Sequence, residues 1–191
     1  MTVSISGVAV LAGCLRNGDD TGGGGPGGDS DSGDPGSDLD EDCSVYDPEN
    51  LAIGEHDDGW HVVDEDEQVL FSPDREDAER AREIIQAYGF DSYCFVERPD
   101  PGMEYSLVDG EPPAFGDADV EVEDCNAFDP ADLEIVEVDQ GWRIEEESHQ
   151  LLSFDTEEAA EKALDIIEHY GFEHQCFVGR PQPPMSYFLT E

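Results

Sequence analysis

The chain has 191 residues, with 50 acidic and 8 basic side chains and a formal net charge of −42. No basic patch exists to displace counterions from phosphates, which excludes a nucleic-acid partner. No run reaches the roughly 18 apolar residues of a membrane span.

The acid excess is not confined to a tail. Residues 43–107 carry 18 acids and 4 bases, a balance of −14, and residues 125–189 carry 15 acids and 3 bases, a balance of −12. Such a surface repels itself at ordinary ionic strength, and molar salt shortens the screening length to about 3 Å. With so few lysines, the chain is similar to proteins of extreme halophiles. The alternative is an acidic, partly disordered protein. Two tryptophans, fifteen Phe and Tyr, and clear periodicity oppose that alternative.

From Met1 to Gly13 the residues are small or apolar and lead into Leu11-Ala12-Gly13-Cys14. This resembles a lipobox, at which a signal peptide is removed and the new N-terminal cysteine lipidated. The resemblance implies lipidation at Cys14, attachment to the membrane through that lipid, and a place on the extracellular face. The alternative is an ordinary exported or cytosolic start. Residues 15–42 are rich in Gly, Asp, Ser and Pro and cannot bury a core, so a flexible linker is expected. Asp29 to Asp34 departs from the calcium-loop pattern and has no flanking helices, so no calcium site is assigned.

An 82-residue shift aligns residues 43–107 with 125–189 without a gap, and 30 of 65 positions are identical. The chain therefore contains an internal duplication. Two tandem modules are expected, residues 43–107 and 125–191, joined by residues 108–124. Each reads as an α+β unit of order β-β-β-α-β-β with one internal disulfide. Leu51-Ala52-Ile53 and Leu133-Glu134-Ile135 alternate as first strands, and Gly59 and Gly141 follow acidic turns. Trp60 and Trp142 open second strands, and Gln68 to Phe71 and Gln150 to Leu152 form third ones. Ser72-Pro73 and Asp155 to Glu158 signal helix starts. Ala78, Ala81, Ile85 and Tyr88 recur at helical spacing, as do Ala160, Ala163, Ile167 and Tyr170. Gly89 and Gly171 then stand where a left-handed cap is needed. A strand at Phe95-Val96, a proline pair and a last strand at Met103 to Leu107 close the unit.

Four cysteines remain after Cys14, in two pairs each 51 apart. Identical copies should fold alike, which selects Cys43–Cys94 and Cys125–Cys176 from the three possible pairings. Each bridge would contribute about 4 kcal/mol by loop-closure entropy and implies an oxidising compartment. The alternative is buried free thiols. No zinc-type spacing occurs, and no metal or cofactor is expected.

A duplicated site should repeat its polar residues. None of His56, His61, His149, His169 and His174 falls on another under the shift, and no serine or free cysteine stands with a histidine and an acid in both copies. No catalytic residue is assigned. Among matched residues Arg98 and Arg180 are informative in so base-poor a chain. They read either as partly buried bridges to Asp47 or a helix acid, or as anchors for an acidic or carbonyl-bearing ligand. Trp60 and Trp142, with Tyr105 and Tyr187, are the aromatic candidates for gripping a surface protein or a glycan, with core packing as the alternative. The phrase Cys-Phe-Val-Gly-Arg-Pro-x-Pro at 176–183, with Tyr-Gly-Phe upstream, resembles small repeat modules appended to secreted bacterial proteins, for which no activity is established. The expectation is a non-catalytic surface binding module whose two copies raise avidity. An extracellular enzyme or enzyme inhibitor, or a structural envelope component, are the alternatives.

Overall fold

In a computed structural model of the chain, the described residues are 39, 42–97, 102–120, 124–179 and 183–191. The lipobox with Cys14, nearly all of the 15–42 linker, and both Arg98 and Arg180 lie outside them.

Each repeat holds four strands, a helix and two more strands. In repeat 1 these are β1 (Asp42–Val45), β2 (Leu51–His56), β3 (Gly59–Asp64), β4 (Glu67–Ser72), α1 (Arg75–Tyr88), β5 (Ser92–Val96) and β6 (Met103–Leu107). Repeat 2 follows with β7 (Cys125–Ala127), β8 (Leu133–Val138), β9 (Gly141–Glu146), β10 (His149–Phe154), α2 (Glu157–Tyr170), β11 (His174–Val178) and β12 (Met185–Leu189). The α+β class follows the sequence, but the pattern differs by one opening strand per repeat. Asp42 to Val45 is short and lacks apolar alternation, and its strand state comes from pairing with β5.

The strands form four three-stranded antiparallel sheets: β2-β3-β4 and β1-β5-β6 in repeat 1, β8-β9-β10 and β7-β11-β12 in repeat 2. Cys43 lies directly opposite Cys94, and Cys125 opposite Cys176, each at a Cα separation of 4.0 Å. Both expected disulfides are formed. Each joins the opening strand of a repeat to its closing sheet.

The helix caps sit slightly later than the sequence suggested. Asp74 caps α1, its carboxylate accepting from the Glu76 N–H, while Ser72 Oγ donates to the Asp74 carbonyl. Thr156 caps α2 and accepts from the Ala159 N–H. Asp155 is therefore not the cap: a hydroxyl at 156 reaches the third helical N–H. Gly89 and Gly171 end the helices at φ 74° and 63°, in the left-handed region that glycine tolerates. Gly59 and Gly141 are needed for a second reason. A Cβ at Gly59 would lie 2.7 Å from the Ser72 carbonyl oxygen, and one at Gly141 would meet the Phe154 carbonyl.

The repeats do not close on themselves. The buried face of α1 (Ala78, Ala81, Ile84, Ile85, Tyr88) packs with Leu51, Val62 and Leu70 of its own repeat and with Val178, Met185, Tyr187 and Leu189 of repeat 2. Reciprocally, α2 (Ala159, Ala160, Ala163, Ile166, Ile167) packs with Leu133, Ile144 and Leu152 of its own repeat and with Val96, Met103, Tyr105 and Leu107 of repeat 1. Each helix is thus covered by the closing sheet of the other repeat, and residues 37–191 form one compact unit. Where the sequence suggests two tandem modules, the cores are exchanged. A self-closed pair and an exchanged pair bury the same apolar faces when the copies are alike. Only the linker path separates them.

The described part of that path, residues 108–120, is held by backbone hydrogen bonds. Asp109-Gly110 turns tightly, with Val108 and Glu111 exchanging backbone bonds at 2.8 and 3.0 Å. The Phe115 N–H then donates to the Thr190 carbonyl at 2.9 Å, and Phe115 stacks on His174 at 4.5 Å. Ala118 is buried in the first core.

Candidate functional site: a polar cavity in repeat 1

The matched aromatic residues are not gathered. Tyr105 and Tyr187 are fully buried. Tyr187 sits 5.9 Å from the Phe90 ring and 6.0 Å from Tyr88, while Tyr105 sits 6.0 Å from both Phe172 and Tyr170. They are the aromatic centres of the two shared cores. Trp60 is half-buried against the first core, with the Arg75 guanidinium 5.1 Å above its ring. Trp142 is half-buried against the second core and lines a shallow cleft with Asp139, Arg143 and Gln150. The tryptophan and the tyrosine of one repeat therefore serve different cores. Arg98 and Arg180 are outside the described residues, so no contact with Asp47 or a helix acid is assigned. Asp47 itself caps the short 3-10 turn at Pro48–Asn50, accepting from the Glu49 N–H at 2.9 Å.

The histidine group that does form belongs to repeat 1 alone. His56 stacks on His61 at 4.2 Å, and His61 Nε2 lies 3.1 Å from Asp58 Oδ1. The exposed Asp58 carboxyl is held below the ordinary range, first by its own backbone N–H and then by His61. No serine or thiol stands in this group, so it contains no nucleophile for a base to activate. Among the described residues, no cluster of three or more His, Cys, Asp or Glu is placed to hold a metal ion, and no helix is long and apolar enough to cross a membrane.

The distinctive feature is a cavity of about 340 Å³ in repeat 1, between the closing sheet and β4. Its floor comes from the outer face of β5-β6. Antiparallel register sets Tyr93 against Ser106 and Phe95 against Glu104, on the face opposite Cys94 and Tyr105. Leu70 and Phe71 of β4 form one wall, Tyr46 another, and Asp64 stands at the end of β3. Pro184, from the closing phrase of repeat 2, completes the lining. Its counterpart is Gly102, where a Cβ would run into the Phe154 ring. The residue of β4 matching Phe154 is the small Ser72, so bulk is exchanged between the two crossings.

Burial governs the chemistry of this cavity. Desolvation pushes the Glu104 carboxyl up, which favours its neutral form. The Tyr93 phenol is raised strongly by burial and then by the Glu104 charge beside it, and the Tyr46 phenol is raised by burial and then by Asp91. Both phenols are donors at any ordinary pH. Asp64 Oδ2 accepts from the Asp47 N–H at 2.9 Å, but the buried Asp64 Oδ1 has no hydrogen-bond partner. The Tyr93 hydroxyl, 5% exposed as a residue, faces the Glu104 carboxyl as its hydrogen-bond partner. An unpartnered buried polar atom is costly, about 1–3 kcal/mol, and the one at Asp64 stands beside the cavity.

Repeat 2 keeps a cleft at the same place, between Phe128, Glu146, His149 and Leu151, but changes its chemistry. Phe128 replaces Tyr46, Gln175 replaces Tyr93, Ser186 replaces Glu104 and Phe188 replaces Ser106. The Phe188 ring is fully buried, 6.4 Å from Phe128 and 5.3 Å from Phe172. A search for polar residues repeated in both copies passes over such a site. The signal is the opposite one: four positions, facing one another across a sheet, at which two otherwise similar copies disagree. No protein-family model matches the chain, and neither the curated proteins nor the solved structures yield a match to it.

Proposed function

We propose that this chain is a non-catalytic binding protein of the cell surface, tethered by a lipid on Cys14 and working in high salt. The observation that carries the reading is the repeat-1 cavity. It has an apolar wall, a few inward polar groups and an unsatisfied buried carboxylate oxygen, the make-up of a ligand pocket rather than of a packing defect. The lipobox resemblance supports the tether, the two disulfides support an oxidising exterior, and the −42 charge supports a saline medium. Binding centres on one site rather than on two equal ones, because the equivalent cleft of repeat 2 lacks the counterparts of Tyr46, Tyr93 and Glu104. The test is saturation-transfer NMR on the full chain in molar KCl, with separate mixtures of amines, carboxylates and small glycans. At least one class should saturate resonances from Tyr93 or Phe95. Failure of every class, with the fold intact, overturns the binding reading in favour of a structural envelope component.

A further inference from the structure

We infer that the repeat-1 cavity takes a small organic cation, a primary ammonium carried on an apolar or aryl body. This deepens the binding reading above and rests on it.

Three kinds of lining residue converge on that chemistry. Asp64, Glu67 and Glu104 supply carboxyl groups, and no Lys, Arg or His is among the lining residues. Asp64 Oδ1 is a buried polar atom without a hydrogen-bond partner, and the Tyr93 hydroxyl and the Glu104 carboxyl face each other beside it. An ammonium carries three N–H donors, which suits a carboxylate oxygen, a phenol oxygen and a second carboxyl. An anion or a sugar acid would add charge of the sign already in excess. Phe95, Phe71 and Leu70 supply a wall for an apolar body, and aromatic faces attract cations as well as hydrocarbon. About 340 Å³ is at the lower end of the range for small-molecule sites, so the ligand is an amine of modest size rather than a peptide.

The substitutions in repeat 2 follow the same logic. The replacements there remove a carboxyl (Glu104 to Ser186) and both phenols (Tyr46 to Phe128, Tyr93 to Gln175) and add a ring (Ser106 to Phe188). Both phenols and the sheet carboxyl that would meet an ammonium go, and His149 stands in place of Glu67, while the cleft itself remains. Packing alone would not require these polar groups to leave together.

Phenethylamine and its neutral analogue 2-phenylethanol serve as probes, titrated into the full chain in molar KCl and followed by calorimetry. High salt matters because a chain of charge −42 condenses any cation weakly at low ionic strength. One-to-one saturable binding of phenethylamine, at least about tenfold tighter than 2-phenylethanol, is expected. Glu104→Ser, which installs the residue repeat 2 already uses, should abolish that preference. Glu104→Gln keeps the shape and should do the same, which covers a poorly folding serine variant. Equal affinities for the two probes, an unchanged preference in both variants, or non-saturable amine uptake overturn the inference. Tighter binding of the alcohol overturns it while leaving the binding reading in place. Absence of any binding overturns this inference, whereas the binding reading fails only if the broader screen is also empty.

Discussion

If each helix is covered by the other repeat's closing sheet, aromatic pairs across the repeats must be energetically coupled. Phe90 and Tyr187 are both fully buried with ring centroids 5.9 Å apart. Truncating either to alanine would cost about 3–5 kcal/mol, enough to unfold a domain of this size. Replacement by leucine keeps much of the volume and removes the ring contact. An edge-to-face pair contributes about 0.5–1.5 kcal/mol beyond its area. A double-mutant cycle of Phe90→Leu and Tyr187→Leu, measured by urea unfolding in molar KCl, should show coupling of that size. The symmetric cycle, Tyr105→Leu with Phe172→Leu at 6.0 Å, should match it. Phe90 with Tyr105 is the contrast, because these belong to one repeat but to different cores. That pair should be additive within about 0.3–0.5 kcal/mol. Coupling of Phe90 to Tyr105, with additivity for Phe90 and Tyr187, would mean that each repeat closes on itself and would refute the exchange.

A protease site inserted at the exposed Asp109-Gly110 turn tests the exchange without touching the core. Neither disulfide joins the repeats, yet the cut halves should co-elute from a sizing column; two separate folded halves would contradict it. Glu104→Gln should raise the melting temperature at pH 7 and lose its advantage in acid. Burial raises the folded pKa of Glu104, so its stabilising effect is complete below the unfolded value near ~4.3 and is lost as pH rises through the folded value. Parallel melting profiles of wild type and variant from pH 3.5 to 7 would remove the desolvated carboxyl. Dilution from molar salt to below about 0.1 M should lower stability, since the excess of 14 acids over bases in repeat 1 and of 12 in repeat 2 is then unscreened. An unchanged melting temperature would remove the saline-medium reading.

Much of the fold was legible because it rests on local signals. The period of Ala78, Ala81, Ile85 and Tyr88, the glycine at 89 and the paired cysteines each specify their own neighbourhood. The opening strand was not, since Asp42 to Val45 becomes a strand only by pairing with β5. The exchange of closing sheets was not legible either. Tyr105 and Tyr187 are the same residue in equivalent settings, so the sequence does not say which helix each one meets. The site was missed for a different physical reason. Matched residues such as Tyr105 and Tyr187 persist because both cores need them, and the cavity lies where Tyr93 and Glu104 lost that match. Arg98 and Arg180 keep both of their readings. Lost stability in Arg180→Ala would mark a bridge, and lost ligand capture with intact melting would mark an anchor.

The most direct measurement for the central claim, that binding sits in the repeat-1 cavity rather than in its repeat-2 counterpart, is chemical-shift mapping on ring-labelled phenylalanine. Phenethylamine in molar KCl should move the resonances of Phe71 and Phe95 and leave Phe128, Phe177 and Phe188 unmoved. Shifts of equal size at Phe95 and Phe177, or shifts confined to repeat 2, would contradict it.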